Sequence, residues 1–153
     1  IGLVEWVLTR AQEIVNDICR RPLSPRDRLT QVFTTWSETL ISRPAVLALL
    51  SPENISLTTE VMKRFRRRLF PRIQELVTDI AGIIREGCEC GQFRKVDPKA
   101  AAQLFFAAFR SAMIGTLSGG RLPELSRTMQ ELFFCGLLAD SGQRPRTKLK
   151  EAR

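Results

Sequence analysis

Apolar residues recur every three or four positions along most of the chain, and no run alternates apolar with polar over the length of a strand. Leu29, Val32, Phe33, Trp36 and Leu40 make one such stripe, and Ile73, Leu76, Val77, Ile80, Ile83 and Ile84 make another. Residues three and four apart share a face of an α-helix, so this spacing predicts an all-α protein. Three helix starts are marked by a capping side chain followed by proline: Ser24-Pro25, Ser51-Pro52 and Asp97-Pro98. The side-chain oxygen accepts a backbone N–H that the first turn leaves without a partner. Proline fits the next position because no donor is needed there, and each cap contributes about 1 kcal/mol.

The pattern predicts helices over residues 1–20, 25–42 and 44–50, a long segment over 52–87, and helices over 98–118 and 123–139. This is a helical bundle of about six helices. Pro71 falls inside the long segment, where it removes a donor and crowds the preceding turn, so a kink or break is expected near Arg67 to Pro71. Residues 1–140 read as one domain, and 141–153 as a basic, disordered tail.

Charge changes the picture little. The formal charge is +8, and half of it lies in the tail. A second basic cluster, Lys63 to Arg72, holds no acidic residue. Wound on a helix, these charges spread around most of the circumference. They describe a solvated face better than a nucleic-acid groove, so direct nucleic-acid contact by these residues is the weaker reading. The most apolar stretch, Ala100 to Leu117, carries Arg110 near its centre. A buried soluble helix therefore explains it better than a membrane span, where a central arginine costs roughly 2.5–3.5 kcal/mol. No signal-peptide pattern precedes an apolar core. The four cysteines fit free thiols in a reducing, cytoplasmic setting.

The candidate chemistry is sparse. The chain has no histidine and no tyrosine, which removes the commonest general base and the commonest metal ligand. No phosphate-binding loop or nucleophile elbow occurs, so an enzyme is not expected. Cys88 and Cys90, even with Glu86 or Glu89, form a C-x-C pair without the second pair that a zinc site needs, so neither a metal nor a cofactor is expected. Cys19 and Cys135 fall within helices and read as small core residues. Gly87 follows the apolar pair Ile83 and Ile84 and is expected to supply the left-handed residue that closes its helix, with Gly91 shaping the loop before Asp97.

The segment IIREGCECGQFRKVDPKAAAQLFFAAFRSAMIG resembles the corner of the C-terminal, ligand-binding and dimerisation domain of TetR-family transcriptional regulators. The elements that carry the likeness are Glu86-Gly87, Gly91-Gln92-Phe93-Arg94, Asp97-Pro98 and Ala100-Ala101-Ala102. Upstream, SPRDRLTQVFTTW and SRPAVLALL are similar to two further segments of that family, and the likeness extends over about residues 1–140 in helix order. Family members begin with a small helix-turn-helix domain. IGLVEWVL resembles the start of the helix that follows it, so contact with DNA is expected only through an N-terminal domain not present in this chain.

The resemblance implies a homodimer in which the helix from Asp97 and the last helix pair with their symmetry mates. Candidates for that interface are Ala101, Phe105, Ala108, Ala112 and Gly115 on the first, and Leu125, Met129, Leu132, Phe133 and Gly136 on the second. Ordinary intrachain core accounts for the same apolar faces. An apolar pocket within each subunit is also implied, with Phe33, Trp36, Met62, Phe65, Leu69, Phe109 and Met113 as candidates, because aromatic and methionine side chains suit an adaptable cavity. A small apolar effector would then change the packing around Pro71 and Trp6 and so control operator binding. The competing expectation is a helical carrier module for an apolar small molecule, with no role in transcription.

Overall fold

The structure, a computed structural model, describes residues 2–41, 43, 59–117 and 119–139. Five helices account for almost all of them: α1 (Gly2–Cys19), α2 (Pro25–Ile41), α3 (Thr59–Glu89), α4 (Pro98–Leu117) and α5 (Leu122–Leu137). The expected helix over 44–50, the Ser51-Pro52 cap and the tail over 141–153 lie outside the described residues.

The five helices form where the apolar spacing placed them, and the described residues of the two stripes on α2 and α3 lie in the core or pack against it. Ile14, Val15 and Ile18 of α1 meet Leu29, Val32, Phe33 and Trp36 of α2 and Leu76, Val77, Ile80 and Ile84 of α3 in one core. From α4, Ala102, Phe105, Phe109 and Met113 close it on the far side. The long α3 packs against α1, α2 and α4, while α5 packs against α4. Edge-to-face rings join the layers: Phe33 meets Phe105 and Phe109 with centroids 6.2 and 5.4 Å away, and Phe105 meets Phe133 of α5 at 5.4 Å. Such pairs contribute about 0.5–1.5 kcal/mol beyond the area they bury.

The caps behave as their residue types require. The Asp27 N–H donates to Ser24 Oγ at 3.2 Å at the start of α2, and the Lys99 N–H donates to Asp97 Oδ1 at 3.0 Å at the start of α4. The start of α5 has no side-chain cap, only Pro123 early in its first turn.

Three local expectations change. Pro71 does not break its helix, because α3 runs continuously from Thr59 to Glu89. The proline ring lies on the exposed face, and the turns around it are tied to α1. Arg68 pairs with Glu5, and Arg72 donates to the Glu5 carbonyl at 3.3 Å and to the Thr9 hydroxyl at 2.7 Å. Cys19 and Cys135 are exposed instead of packed in the core, since each sits one residue to the side of its helix's buried stripe.

The third change concerns the corner between α3 and α4. Gly87 is not the left-handed residue; it lies inside the helix, and Gly91 takes that conformation with φ +79°. Gly87 serves close approach instead. A Cβ built there would lie 2.1 Å from Cδ2 of Phe93, whose buried ring covers the glycine. The Phe93 N–H donates to the Gly87 carbonyl at 2.9 Å. Beyond the ring the loop pairs with the end of α5: the Arg94 N–H donates to Leu137 O at 3.0 Å, and the Ala139 N–H to Gln92 O at 3.1 Å. Leu138 is therefore extended and bridges antiparallel to Phe93, which ends α5 two residues before the expected limit. The Gln92 side chain accepts the Arg26 N–H at 3.0 Å and so reaches the first turn of α2.

Replacing Gly87 by alanine should force the Phe93 ring off its seat and destabilise the chain by about 1–3 kcal/mol, the usual range for overpacking. Gly82 of the same helix has nothing within 4 Å of a built Cβ, so Gly82→Ala should be neutral or stabilise by up to about 1 kcal/mol. Urea denaturation followed by circular dichroism separates the two. Equal effects would mean that the ring does not require the missing Cβ.

Candidate functional site

Four helices leave a space between them. Val4, Val7, Leu8 and Ala11 line it from α1 with the spacing of a single helix face, and Trp36 and Thr39 from α2. The α3 wall is Leu69, Ile73, Gln74, Leu76 and Val77, and the α4 wall is Gln103, Phe106, Ala107, Phe109 and Arg110. The cavity measures about 430 Å³, within the range of small-molecule sites.

Trp36 is the fixed part of the wall. Its indole N–H donates to the Ala11 carbonyl at 3.2 Å, while Phe106 and Phe109 stand nearly edge-on to it, each with centroids 5.3 Å away. With its one polar group satisfied, the ring offers the cavity an apolar face. Ala11 and Ala107 leave room where larger side chains would fill it. By the scale of engineered core cavities, an enclosed empty void of this size would cost about 10 kcal/mol, comparable to the whole stability of a domain. This cavity is instead partly open, with Gln103 and Arg110 both exposed on α4.

The sequence-derived pocket residues divide accordingly. Trp36, Leu69 and Phe109 line the cavity, whereas Phe33 and Met113 are buried in the core and do not line it. The side chains of Met62 and Phe65 lie outside the described residues. The α1 face was missed, as were Ile73, Val77, Gln103, Phe106 and Arg110. The α1 stripe was visible in the sequence, but a stripe that borders a void has the same spacing as one that borders core.

The proposed subunit face divides too. Ala101, Phe105 and Ala112 are buried within the chain and face its own core. Gly115 admits Leu125 of the same chain, which would lie 2.9 Å from a built Cβ. Ala108, Leu125, Met129 and Phe133 are half-buried, and Leu132 and Gly136 are exposed. Leu132, at 72% exposure, and Leu104, at 66%, leave two large apolar side chains uncovered on α5 and α4.

The cysteines are not gathered into a site. Among the described residues, no group of three or more His, Cys, Asp or Glu could hold a metal ion, and no helix is long and apolar enough to cross a membrane. The Cys88 thiol donates to the Arg94 carbonyl at 3.3 Å, and the Cys90 thiol to the Gly87 carbonyl at 3.5 Å, so both serve the corner. Burial raises the Cys19 thiol above its ordinary pKa, partly offset by the charge of Arg28. That makes it a weaker nucleophile near neutral pH.

Among solved structures, a transcriptional regulator of the TetR/AcrR family from Thermobifida fusca YX-ER1 shares the fold. It has a TM-score of 0.66 and 20% sequence identity over 88% of this chain and 70% of the other. A search of curated protein sequences finds no match. The family described as tetracyclin repressor-like, C-terminal domain, matches residues 25–117. That span runs from the capped start of α2 through the Gly87–Phe93 corner to the end of α4. The chain therefore belongs to the family of TetR-like regulators, as their C-terminal domain.

Proposed function

We propose that this chain is the effector-binding and homodimerisation domain of a TetR-like transcriptional regulator, in which a small, largely apolar effector controls operator binding. The observation that carries the reading is the cavity between α1, α2, α3 and α4, with one wall formed by the first helix. DNA is met through a separate N-terminal domain, the protein works by binding and not by catalysis, and its thiols suit the cytoplasm. Family membership favours this reading over a carrier with no role in transcription.

The cavity suggests how the signal leaves. An occupant resting on Val4, Val7, Leu8 and Ala11 presses on α1 against α3. The two helices are held at the same level by Arg68 and Arg72, on either side of Pro71. Occupied and empty cavities then favour different settings of α1, and an effector shifts the balance by its difference in affinity for the two. In a dimer, the setting of two α1 helices fixes the spacing of two DNA-binding heads, which must match half-sites about one helical turn apart.

The subunit contact is expected on the α4 and α5 face that exposes Leu104 and Leu132, which a second copy would cover. Sedimentation at micromolar concentration should show a dimer, and Leu104→Glu with Leu132→Glu should yield a folded monomer. A wild-type monomer at that concentration would sink the dimer. For the cavity, Trp6→Phe leaves Trp36 as the sole indole, and its emission should respond to 1-decanol. Ala11→Phe, which places a second large ring in the cavity without adding an indole, should abolish that response. In the whole regulator, Ala11→Phe should also make operator affinity insensitive to ligand. If it leaves the ligand response intact, the cavity is not the effector site.

A further inference from the structure

Four polar side chains interrupt the apolar wall of the cavity: Thr39, Gln74, Gln103 and Arg110. The Thr39 hydroxyl already donates to the Thr35 carbonyl at 2.7 Å. Among the described residues, the polar groups of Gln74, Gln103 and Arg110 side chains meet no partner. Arg110 is the one ionisable side chain of the described wall, and no Asp or Glu lines it.

We propose that the effector is an amphipathic anion, an apolar body carrying one carboxylate, and that Arg110 binds the carboxylate at the mouth of the cavity. This rests on the cavity being the effector site. Four groups of ligands can be weighed against that wall. A cation would meet Arg110 with no carboxylate to offset the repulsion. A purely apolar ligand would cover donors without satisfying them, which loses their hydration for nothing. A polar ligand would leave the indole face of Trp36 and the aliphatic side chains of α1 and α3 unmatched. An amphipathic anion places its apolar body on those side chains and exchanges the water on Arg110 for a charge-assisted, fork-shaped contact.

The exposure of Arg110 fits this use. In the empty cavity its guanidinium is hydrated, so leaving it unpaired costs little, and the attraction strengthens only when the ligand's body excludes water. Gln103 lies seven residues earlier, about 10 Å along the same helix. Arg110 is the one cation of the described wall, so the anion has a single charged partner, while Gln103 can serve another polar atom of the ligand.

Calorimetric titration of the chain with decanoate and with 1-decanol, each below its aggregation limit, tests the assignment. Wild type should bind decanoate more tightly, and added salt should weaken decanoate alone. Arg110→Gln should cost about tenfold in decanoate affinity, in line with one lost charge-assisted contact, while decanol is unchanged. Arg110→Lys should fall between, because it keeps the charge without the fork. Unchanged helical content in each variant establishes that the fold is intact. Equal affinity for the two probes, or an equal loss for both in Arg110→Gln, overturns the anionic head while leaving an apolar effector site in place. If neither probe binds wild type, the cavity as an effector site falls with it.

Discussion

The contact between the Phe93 ring and the bare α-carbon of Gly87 is the constraint on which the rest of the bundle depends. A connection of eight residues, 90–97, must send the chain back from α3 into α4, and the ring can cover the end of α3 only because no side chain stands in its way. Once seated, Phe93 fixes the loop on both sides of it. Its neighbours Gln92 and Arg94 hold the end of α5 through backbone hydrogen bonds, and the Gln92 side chain holds the start of α2. The Arg28–Glu86 ion pair, 2.6 Å long with the Arg28 side chain only 15% exposed, ties α2 to α3 at the residue before Gly87. Four helix ends thus take their positions from one aromatic side chain.

With that end fixed, the other end of the bundle can remain incompletely filled. The aromatic cluster of Phe33, Trp36, Phe105 and Phe109 forms a dense partition between α2 and α4. On one side of it lies ordinary core, and on the other lies the cavity. Trp36 belongs to both, because its indole is held by a carbonyl of α1 while its face looks into the space. The unfilled volume is tolerable because the dense side supplies the cohesion.

The helices themselves were legible because their determinants are local. Spacing by threes and fours, the oxygens of Ser24 and Asp97, and the prolines that follow them act within a single turn, and the structure uses them as such. The corner was legible as a motif but misread in detail. Whether Gly87 ends a helix or makes room depends on Phe93, six residues away, and only the fold brings that ring across. Pro71 gives the same lesson, since its helix persists through the grip of Arg68 and Arg72 on α1, which no local pattern records. The cavity was the least legible feature. Trp36, Leu69 and Phe109 were named for being large and apolar, but a void is set by what is missing, here the side chains beyond Cβ at Ala11 and Ala107. Nothing in the spacing assigns Gln103 and Arg110 to the pocket, because a polar residue beside a cavity and one on an open surface look alike in sequence.

No residue of the corner from Glu86 to Pro98 lines the cavity. On the proposed reading, the two tasks of the domain therefore rest on separate sets of side chains, one that fixes the angles between helices and one that would meet the occupant. Substitutions along Val4, Val7, Ala11, Gln103 or Arg110 can alter what fits without disturbing the Phe93 seat. With the cavity as effector site, the arrangement would let a lineage exchange one chemical signal for another while the geometry that reports it stays unchanged.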